Sequence, residues 1–134
     1  MTQVVVPVRY PLTEHSRATL AKAIDIAQRE DAALTVLHVN LYQGGRQVSR
    51  RELKGAVQSE FGRLPNARYL VREGFLVEET ILEEIAAEEA DIVVIGKKQV
   101  SRWRQMIRRL IDDPDVEDYL QNELECDVIT VTAG

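Results

Sequence analysis

Short runs of β-branched and other apolar residues alternate with helical patterns along the chain, and this alternation restricts the possible folds more than any other feature. Five such runs occur, at residues 4–8, 34–39, 69–71, 91–96 and 128–132. Between them, apolar residues recur three and four positions apart, as in Leu20, Ala23, Ile24 and Ala27, and this spacing predicts amphipathic helices. Strands that alternate with helices form βαβ units. We therefore predict an α/β fold, a doubly wound parallel sheet of five strands with helices on both faces.

Residues that favour the ends of helices and strands lie between these segments. Thr13 is a suitable N-cap for the first helix, Gly62 with Pro65 ends the second helix, and Gly74 closes the third strand. Further apolar stripes are Leu53, Ala56, Val57 and Phe61, and then Val77, Ile81, Leu82 and Ile85. Residues 78, 79, 83, 84, 88 and 89 are all glutamates, which predicts that the other face of the third helix is solvated.

The segment between the fourth and fifth strands is longer than one crossover needs. One predicted helical face in it is apolar and carries Trp103, Met106, Ile107, Leu110 and Ile111. Four arginines surround this face: Arg102, Arg104, Arg108 and Arg109. A last helix is predicted to begin near Pro114 and to carry Val116, Tyr119, Leu120 and Leu124.

The size and composition of the chain limit its class. Its 134 residues, of which 45% are hydrophobic and 29% charged, match one globular domain, predicted to span residues 1–134. The net charge of -5 argues against nucleic acid as a general partner. Cys126 is the single cysteine, as in proteins of a reducing compartment. Since neither a signal peptide nor a transmembrane segment is visible, we expect a cytoplasmic location.

Several stretches, taken in order, resemble the universal stress protein family. Residues 4–8 are similar to its first strand, and residues 34–39, with His38 near the end, are similar to its second. Residues 73–96 resemble its third helix and fourth strand, and residues 125–131 resemble its closing segment. The resemblance covers nearly the whole chain outside residues 97–113. It implies a Rossmann-like fold of the adenine nucleotide alpha hydrolase type, the strand order 3-2-1-4-5 and a homodimer.

The nucleotide-binding branch of that family carries an Asp at the end of the first strand. It also carries a loop G-x-x-G-x9-G-[ST] after the fourth strand, whose glycines let backbone amides approach phosphates. Here Arg9 takes the place of the Asp, and Gly96 matches the first loop glycine but Gln99 the second. The final pair falls, depending on the register, on Arg109 and Leu110 or on Pro114 and Asp115. The resemblance therefore implies a member that has lost the ATP-binding loop, and no cofactor is expected.

Ligands of an open doubly wound sheet bind outside the carboxyl ends of the strands, where the strand order reverses. With the order that the resemblance implies, this crevice lies between the first and fourth strands. Its predicted rim consists of Val8, Arg9, Val39, Asn40, Gly96, Lys97 and Lys98. The three cations there would hold a phosphorylated ligand through charge-assisted hydrogen bonds. The alternative is that they are solvated, or that Arg9 pairs with a helix acid.

Other residues that commonly carry chemistry show no pattern of an active site. His15 and His38 have no Cys, His or Asp at ligand spacing, and Cys126 has no activating base nearby. We therefore interpret His38 as a half-buried, satisfied histidine and Cys126 as part of the core. No nucleophile, base and orienting group occur together, so we predict no catalytic residues, no metal and no enzyme.

Two segments suggest partners. The last strand, Val128 to Thr132, lacks the lysine, proline or bulge that blunts a free sheet edge, and the family resemblance implies a homodimer through it. The basic helix around Trp103 either packs within the chain or on a dimer mate, or it docks an acidic partner or a membrane surface. The acidic net charge disfavours nucleic acid for this helix as well.

These observations leave three functional hypotheses. The preferred one is a non-catalytic, dimeric regulatory or scaffolding protein of the stress response that does not bind ATP. The second is a switch that binds a nucleotide or phosphate ligand at an altered site built from Arg9, Lys97 and Lys98. The third is an adaptor whose basic Trp103 helix docks an acidic partner.

Overall fold

The fold is built on one parallel β-sheet. The structure, a computed structural model, describes residues 2–44, 46–108 and 125–132, without the side chains of residues 104 and 106–108. The strands are β1 (Gln3–Pro7), β2 (Ala33–Leu41), β3 (Ala67–Gly74), β4 (Ile92–Gly96) and β5 (Asp127–Val131). The helices of the described part are α1 (Glu14–Arg29), α2 (Arg50–Phe61), α3 (Val77–Ala87) and α4 (Lys97–Arg108). The strand order is β3-β2-β1-β4-β5, so the predicted fold class and order are confirmed.

Both faces of the sheet are covered, which explains why the strands appear in the sequence as continuous apolar runs. Val4 and Val6 of β1 belong to a core with residues of α1 and α2. Val5 points to the opposite face and belongs to a second core, which contains Ile81 of α3 and Trp103 of α4. The helices α1 and α2 therefore cover one face, and α3 and α4 cover the other.

The helix ends are fixed by cap residues. Thr13 Oγ1 accepts a hydrogen bond from the Ser16 backbone N–H at 3.1 Å, which confirms Thr13 as the N-cap of α1. Ser49 and Glu52 form a capping box at the start of α2, a motif that was not predicted. Gly62 ends α2 with a φ of 77°, a left-handed conformation that glycine adopts without strain.

The prediction of a wholly solvated glutamate face on α3 is wrong. Glu84 is 6% exposed and accepts two hydrogen bonds from Arg72 of β3, at 2.8 and 3.1 Å. Glu88 pairs with Arg68 of the same strand. Arg68 and Arg72 lie on the same face of β3 because their positions differ by an even number. Helical periodicity misses such pairs, since a helix buries a carboxylate when a neighbouring strand supplies its cation.

The strand β4 passes into α4 without an intervening loop, since β4 ends at Gly96 and α4 begins at Lys97. Trp103 of α4 is 0% exposed, and its indole Nε1 donates to the Glu78 backbone oxygen at 3.2 Å. The ring thus packs within its own chain and offers no surface to a partner, contrary to the adaptor hypothesis. The described helices include none that is long and apolar enough to cross a membrane.

Several predicted features lie outside the described residues. They are Arg109, Leu110, Ile111 and the last predicted helix with Pro114, Asp115, Val116, Tyr119, Leu120 and Leu124, together with the side chains of Arg104, Met106, Ile107 and Arg108.

Candidate functional site

A crevice opens at the carboxyl edge of the sheet between β1 and β4. These two strands pair only through Val4 and Val5 of β1, whereas β1 pairs with β2 as far as Pro7 and β4 pairs with β5 as far as Gly96. The two strands therefore diverge where the strand order reverses. The cavity there has a volume of about 500 Å³, within the usual range of roughly 300–1,000 Å³ for small-molecule sites.

Most of the residues predicted for the crevice rim line this cavity. They are Val8, Arg9, Val39, Asn40, Gly96 and Lys98. Lys97, also predicted, is exposed at the start of α4 and is not part of the lining. The lining contains further residues that the sequence did not point to, above all Tyr10, Arg46, Glu78 and Arg102.

The loop between β1 and α1 holds Arg9 at the rim of the cavity. The Arg9 backbone N–H donates to Ser16 Oγ at 3.1 Å, and the Val8 N–H donates to the Leu37 carbonyl of β2 at 2.8 Å. Ser16 is buried and lies in the first turn of α1, bonded to the cap residue Thr13. The cap of α1 therefore fixes the Arg9 backbone, while the Arg9 side chain extends toward solvent.

The helix α4 forms a second wall. Lys98 and Arg102 are four positions apart and therefore lie on one helical face, which lines the cavity, while Trp103 faces the core. The indole bond to the Glu78 carbonyl ties α4 to the start of α3. Gln99 Nε2 adds a long hydrogen bond to Glu78 Oε1 at 3.4 Å. The core packing of Trp103 thus decides where the two cations of α4 stand.

The loop after β2 supplies a third wall. Asn40 holds this loop, because its side-chain amide donates to the Val48 carbonyl at 2.9 Å and accepts from the Val48 N–H at 3.1 Å. Arg46 of the same loop lies with its Cζ 5.1 Å from the centre of the Tyr10 ring, a cation–π distance. Its Nη2 also donates to Glu52 Oε2 at 3.0 Å. The loop thereby places a further cation at the cavity.

The remaining sequence interpretations concern a histidine and the cysteine. His38 is half-buried, its Nδ1 lies 3.1 Å from the Val8 carbonyl oxygen, and its ring is in edge contact with Tyr10 at 6.3 Å between centroids. The interpretation of His38 as a satisfied histidine is confirmed. Cys126 is 1% exposed, and burial, followed by the charge of Asp127, raises the pKa of its thiol, so its place in the core is confirmed.

The cavity is strongly cationic although the chain is acidic. Arg9, Arg46, Lys98 and Arg102 line it, and Glu78 is the one acid among the described lining residues. Arg46 has a carboxylate partner on α2, whereas the other three cations make no ion pair within the described part of the chain. Burial and the nearby Arg102 lower the pKa of Arg9, and Glu78 opposes this. Like charges gathered in a cleft are typical of a site that binds an anion.

The lining offers a ligand cationic side chains, which hold phosphate. It also offers the aromatic rings of Tyr10 and His38, which hold a planar ring. The hydroxyl of Ser16 is already bonded to the Arg9 N–H and to Thr13 Oγ1. Within residues 2–44, 46–108 and 125–132, no three or more His, Cys, Asp or Glu side chains are grouped so as to hold a metal ion.

Comparison with known proteins places the chain in a family. The sequence matches the profile of the universal stress protein family over residues 1–132. The chain belongs to the universal stress protein family. The resemblance that the sequence motifs carried is therefore confirmed. No curated protein sequence matches this universal stress protein.

Solved structures of universal stress proteins share its fold at low sequence identity. UspA from Lactobacillus plantarum has a TM-score of 0.61 at 20% identity, with 97% of each chain covered. A universal stress protein in complex with cAMP has a TM-score of 0.58 at 18% identity, covering 99% of this chain and 98% of its own. A family protein from Arabidopsis thaliana with AMP bound has a TM-score of 0.57 at 18% identity, covering 100% of this chain and 93% of its own. At these identities the likeness shows the fold.

The sequence does indicate why both unpredicted cations, Arg46 and Arg102, lie at the crevice. Arg102 lies four residues after Lys98, so a helix that begins at Lys97 places both on one face, but the sequence did not reveal where that helix begins. Arg46 follows the turn after β2, and therefore lies at the same sheet edge as the crevice. Glu78 carries no such signal, because its place depends on how α3 and α4 pack together.

Proposed function

We propose that this universal stress protein is a non-catalytic regulatory protein whose crevice binds a small phosphorylated ligand, such as a mononucleotide, through side-chain cations. The observation that carries the proposal is the group Arg9, Lys98 and Arg102, which lines the cavity without an ion-pair partner in the described part of the chain. A phosphate dianion compensates these charges through charge-assisted hydrogen bonds, which guanidinium groups form in pairs. This observation favours the second sequence hypothesis over a scaffold with an empty crevice.

We propose that ATP is not the ligand of this chain, because Gln99 stands where the second glycine of the amide-bearing loop would lie. The helix α4 begins directly after Gly96, where the glycine-rich loop would stand. Beyond the first turn of a helix, backbone N–H groups donate to carbonyls four residues earlier and do not reach a ligand. Two structural relatives are complexes with AMP and with cAMP, each of which has one phosphate, and this supports a compact ligand.

The proposed role is that of a switch, because the ligand changes how strongly the β1–α1 loop and α4 repel each other across the crevice. Arg9 belongs to the β1–α1 loop and Arg102 to α4, and their like charges oppose each other. A bound phosphate attracts both side chains and thereby strengthens the packing of α4 against the loop. The bound and free proteins then differ in the stability of α4, a difference that a partner can recognise.

Calorimetric titration with AMP and with ATP tests the proposal. AMP should bind saturably, and Arg102→Gln should weaken it about tenfold to a hundredfold, since a hydrogen bond to a charged group contributes about 1.5–3 kcal/mol. ATP should bind no more tightly than AMP, because α4 follows Gly96 directly in the described part of the chain and leaves no glycine-rich loop there for the additional phosphates.

The matched control for this titration is Arg51→Gln. Arg51 is exposed on α2 and outside the cavity lining, so its loss removes the same charge elsewhere and should leave AMP binding unchanged. Absence of heat with AMP and with inorganic phosphate, or equal weakening by both variants, would contradict binding in the crevice.

We also propose that the chain forms a homodimer through β5. Among the described strands, β5 is last in the sheet order, and residues 128–132 contain neither lysine nor proline, the residues that normally keep a second chain from adding to a sheet. An isologous contact between two such strands extends the sheet across a two-fold axis. Light scattering at micromolar concentration should give twice the monomer mass, and a monomer mass would exclude this contact.

A partner-binding role is a second candidate, and an exposed aromatic pair favours it. Tyr42 is 54% exposed and Phe75 74%, with ring centroids 4.7 Å apart at the ends of β2 and β3. Exposed aromatic residues are enriched at protein interfaces. A photo-crosslinking residue in place of Phe75 should give one discrete heteromeric product, whereas the same residue in place of the exposed Lys54 should not. Identical products from both positions would argue against this role.

A further inference from the structure

The cations of the crevice belong to two different layers of the fold. Lys98 and Arg102 project from α4, in the layer that α3 and α4 form, and the charge of Arg102 acts on Arg9. Arg46 instead lies over the ring of Tyr10, which packs on the core of α1 and α2, and it pairs with a carboxylate of α2. The cavity therefore has two sets of cations. Arg9, Lys98 and Arg102 form the first cationic group, and Arg46 alone forms the second, on the other side of the sheet edge.

Tyr10 connects these two groups. It follows Arg9 in the chain, and its ring lies under Arg46 and against His38. Tyr10 and His38 both line the cavity, so a ligand that reaches from one cationic group to the other passes an aromatic surface. Such a surface packs against the ring of the ligand, either a sugar or a planar base beside it.

We propose that the ligand carries two phosphate groups on separate parts of a small molecule, one bound by Arg9, Lys98 and Arg102 and the other by Arg46. This inference rests on the proposed function, because it places the first phosphate in the same cavity. A single phosphate reaches one cationic group, and a pyrophosphate at one end concentrates its charge there. A nucleoside 3′,5′-bisphosphate or a sugar with phosphates at both ends reaches the two groups together.

Arg46 is able to exchange its present partner for a phosphate. The side chains of Arg46 and Glu52 are 65% and 39% exposed, and ion pairs so accessible to water contribute little to stability. Glu52 also accepts a hydrogen bond from the Ser49 N–H at 3.2 Å within the capping box. The cap of α2 therefore stays in place when Arg46 turns to a ligand.

Calorimetric titration with adenosine 3′,5′-bisphosphate, AMP, ADP and fructose 1,6-bisphosphate tests the inference. Adenosine 3′,5′-bisphosphate should bind at least tenfold more tightly than AMP or ADP, which share its base. Arg46→Gln should abolish this preference, whereas Arg102→Gln should weaken AMP and adenosine 3′,5′-bisphosphate alike. Arg46→Lys, which keeps the charge, should retain part of the preference, and Arg51→Gln should retain all of it.

The outcomes separate this inference from the proposed function. If AMP binds with dependence on Arg102 but the bisphosphates gain nothing, the inference fails and the proposed function stands. A bisphosphate preference that survives Arg46→Gln overturns the inference as well. Absence of binding by all four compounds overturns both. A preference for either bisphosphate that depends on Arg46 supports the inference, and comparison of the two compounds distinguishes a nucleotide from a sugar ligand.

Discussion

The arginines of β3 and two arginines of the crevice, Arg9 and Arg102, have opposite surroundings. Arg72 of β3 donates two hydrogen bonds to the buried Glu84, and these bonds raise the pKa of Arg72 although burial opposes the change. Arg9 of the crevice has no such carboxylate among the described residues, and burial together with Arg102 lowers its pKa. Each β3 arginine thus has its own acid, whereas the crevice arginines stand near each other.

This difference separates cations that support the fold from cations that are available to a ligand. A buried carboxylate needs its cation, because it has lost its hydration and nothing else compensates the charge. Cations that lie close together without ion-pair partners of their own weaken the folded state, and such clusters are typical of sites where a ligand supplies the opposite charge. Loss of a β3 arginine should therefore destabilise the protein, and loss of a crevice arginine should not.

The largest loss of stability is expected from Trp103→Ala, and it should also affect ligand binding, because Trp103 fixes the wall that carries two crevice cations. The side chain is fully buried, and replacing a buried large aromatic residue by alanine costs about 3–5 kcal/mol. AMP binding should be lost together with that stability, since α4 then no longer holds Lys98 and Arg102 in place. Urea denaturation followed by circular dichroism measures the loss.

The control for this change is Trp103→Phe, which keeps much of the packing but removes the hydrogen bond to the Glu78 carbonyl. It should cost less than Trp103→Ala and preserve AMP binding. If Trp103→Ala unfolds at the same urea concentration as the unchanged protein, α4 does not pack on the sheet through this residue, and the crevice lacks the wall that the comparison requires.

The fold was predictable because its signals are local. The β-branched runs of β1 and β4 and the cap at Thr13 reflect burial and hydrogen bonding over a few neighbouring residues. The prediction of a solvated glutamate face was wrong for a different reason. Whether Glu84 is buried depends on Arg72, a residue of another element, and periodicity within one helix does not contain that information.

The site was predictable in position but not in its full set of residues. The switch-point rule, together with the strand order that the family resemblance implied, predicted a crevice with Arg9 and Lys98 at its rim, and both residues line the cavity. Arg46 depends on the hydrogen bonds that fold the loop after β2 over Tyr10. Lys97, the first residue of α4, is not part of the lining, whereas Lys98 is. Such placements follow from tertiary packing, which the sequence pattern does not specify.

A smaller effect is expected from Arg72→Met, which leaves Glu84 buried without its cation. The side chain of Glu84 is 8% exposed but that of Arg72 is 47% exposed, so water weakens the pair. We therefore expect a loss of about 1–3 kcal/mol, less than the roughly 3–5 kcal/mol of a fully buried pair. Urea denaturation measures it, and AMP binding should stay unchanged, because neither residue lines the cavity.

The double variant Arg72→Met with Glu84→Gln sharpens this result. Removing the buried charge together with its partner should recover part of the lost stability, and the cycle of single and double variants gives the coupling between the two residues. A loss for Arg72→Met as small as that for Arg51→Gln would mean that the β3 pair does not support the fold.

The smallest effect on stability is expected from Arg102→Gln, and its sign should be opposite. Removing one of two neighbouring like charges should leave the free energy of unfolding unchanged or raise it by less than about 1 kcal/mol. Any increase should shrink in 1 M NaCl, where charges are screened beyond about 3 Å. AMP should reverse the order of stabilities, because a ligand stabilises the protein that binds it more tightly. If Arg102→Gln instead lowers the free energy of unfolding as much as Arg72→Met does, Arg102 stabilises the fold. A cation that the folded state needs in this way is not held in place for a ligand alone.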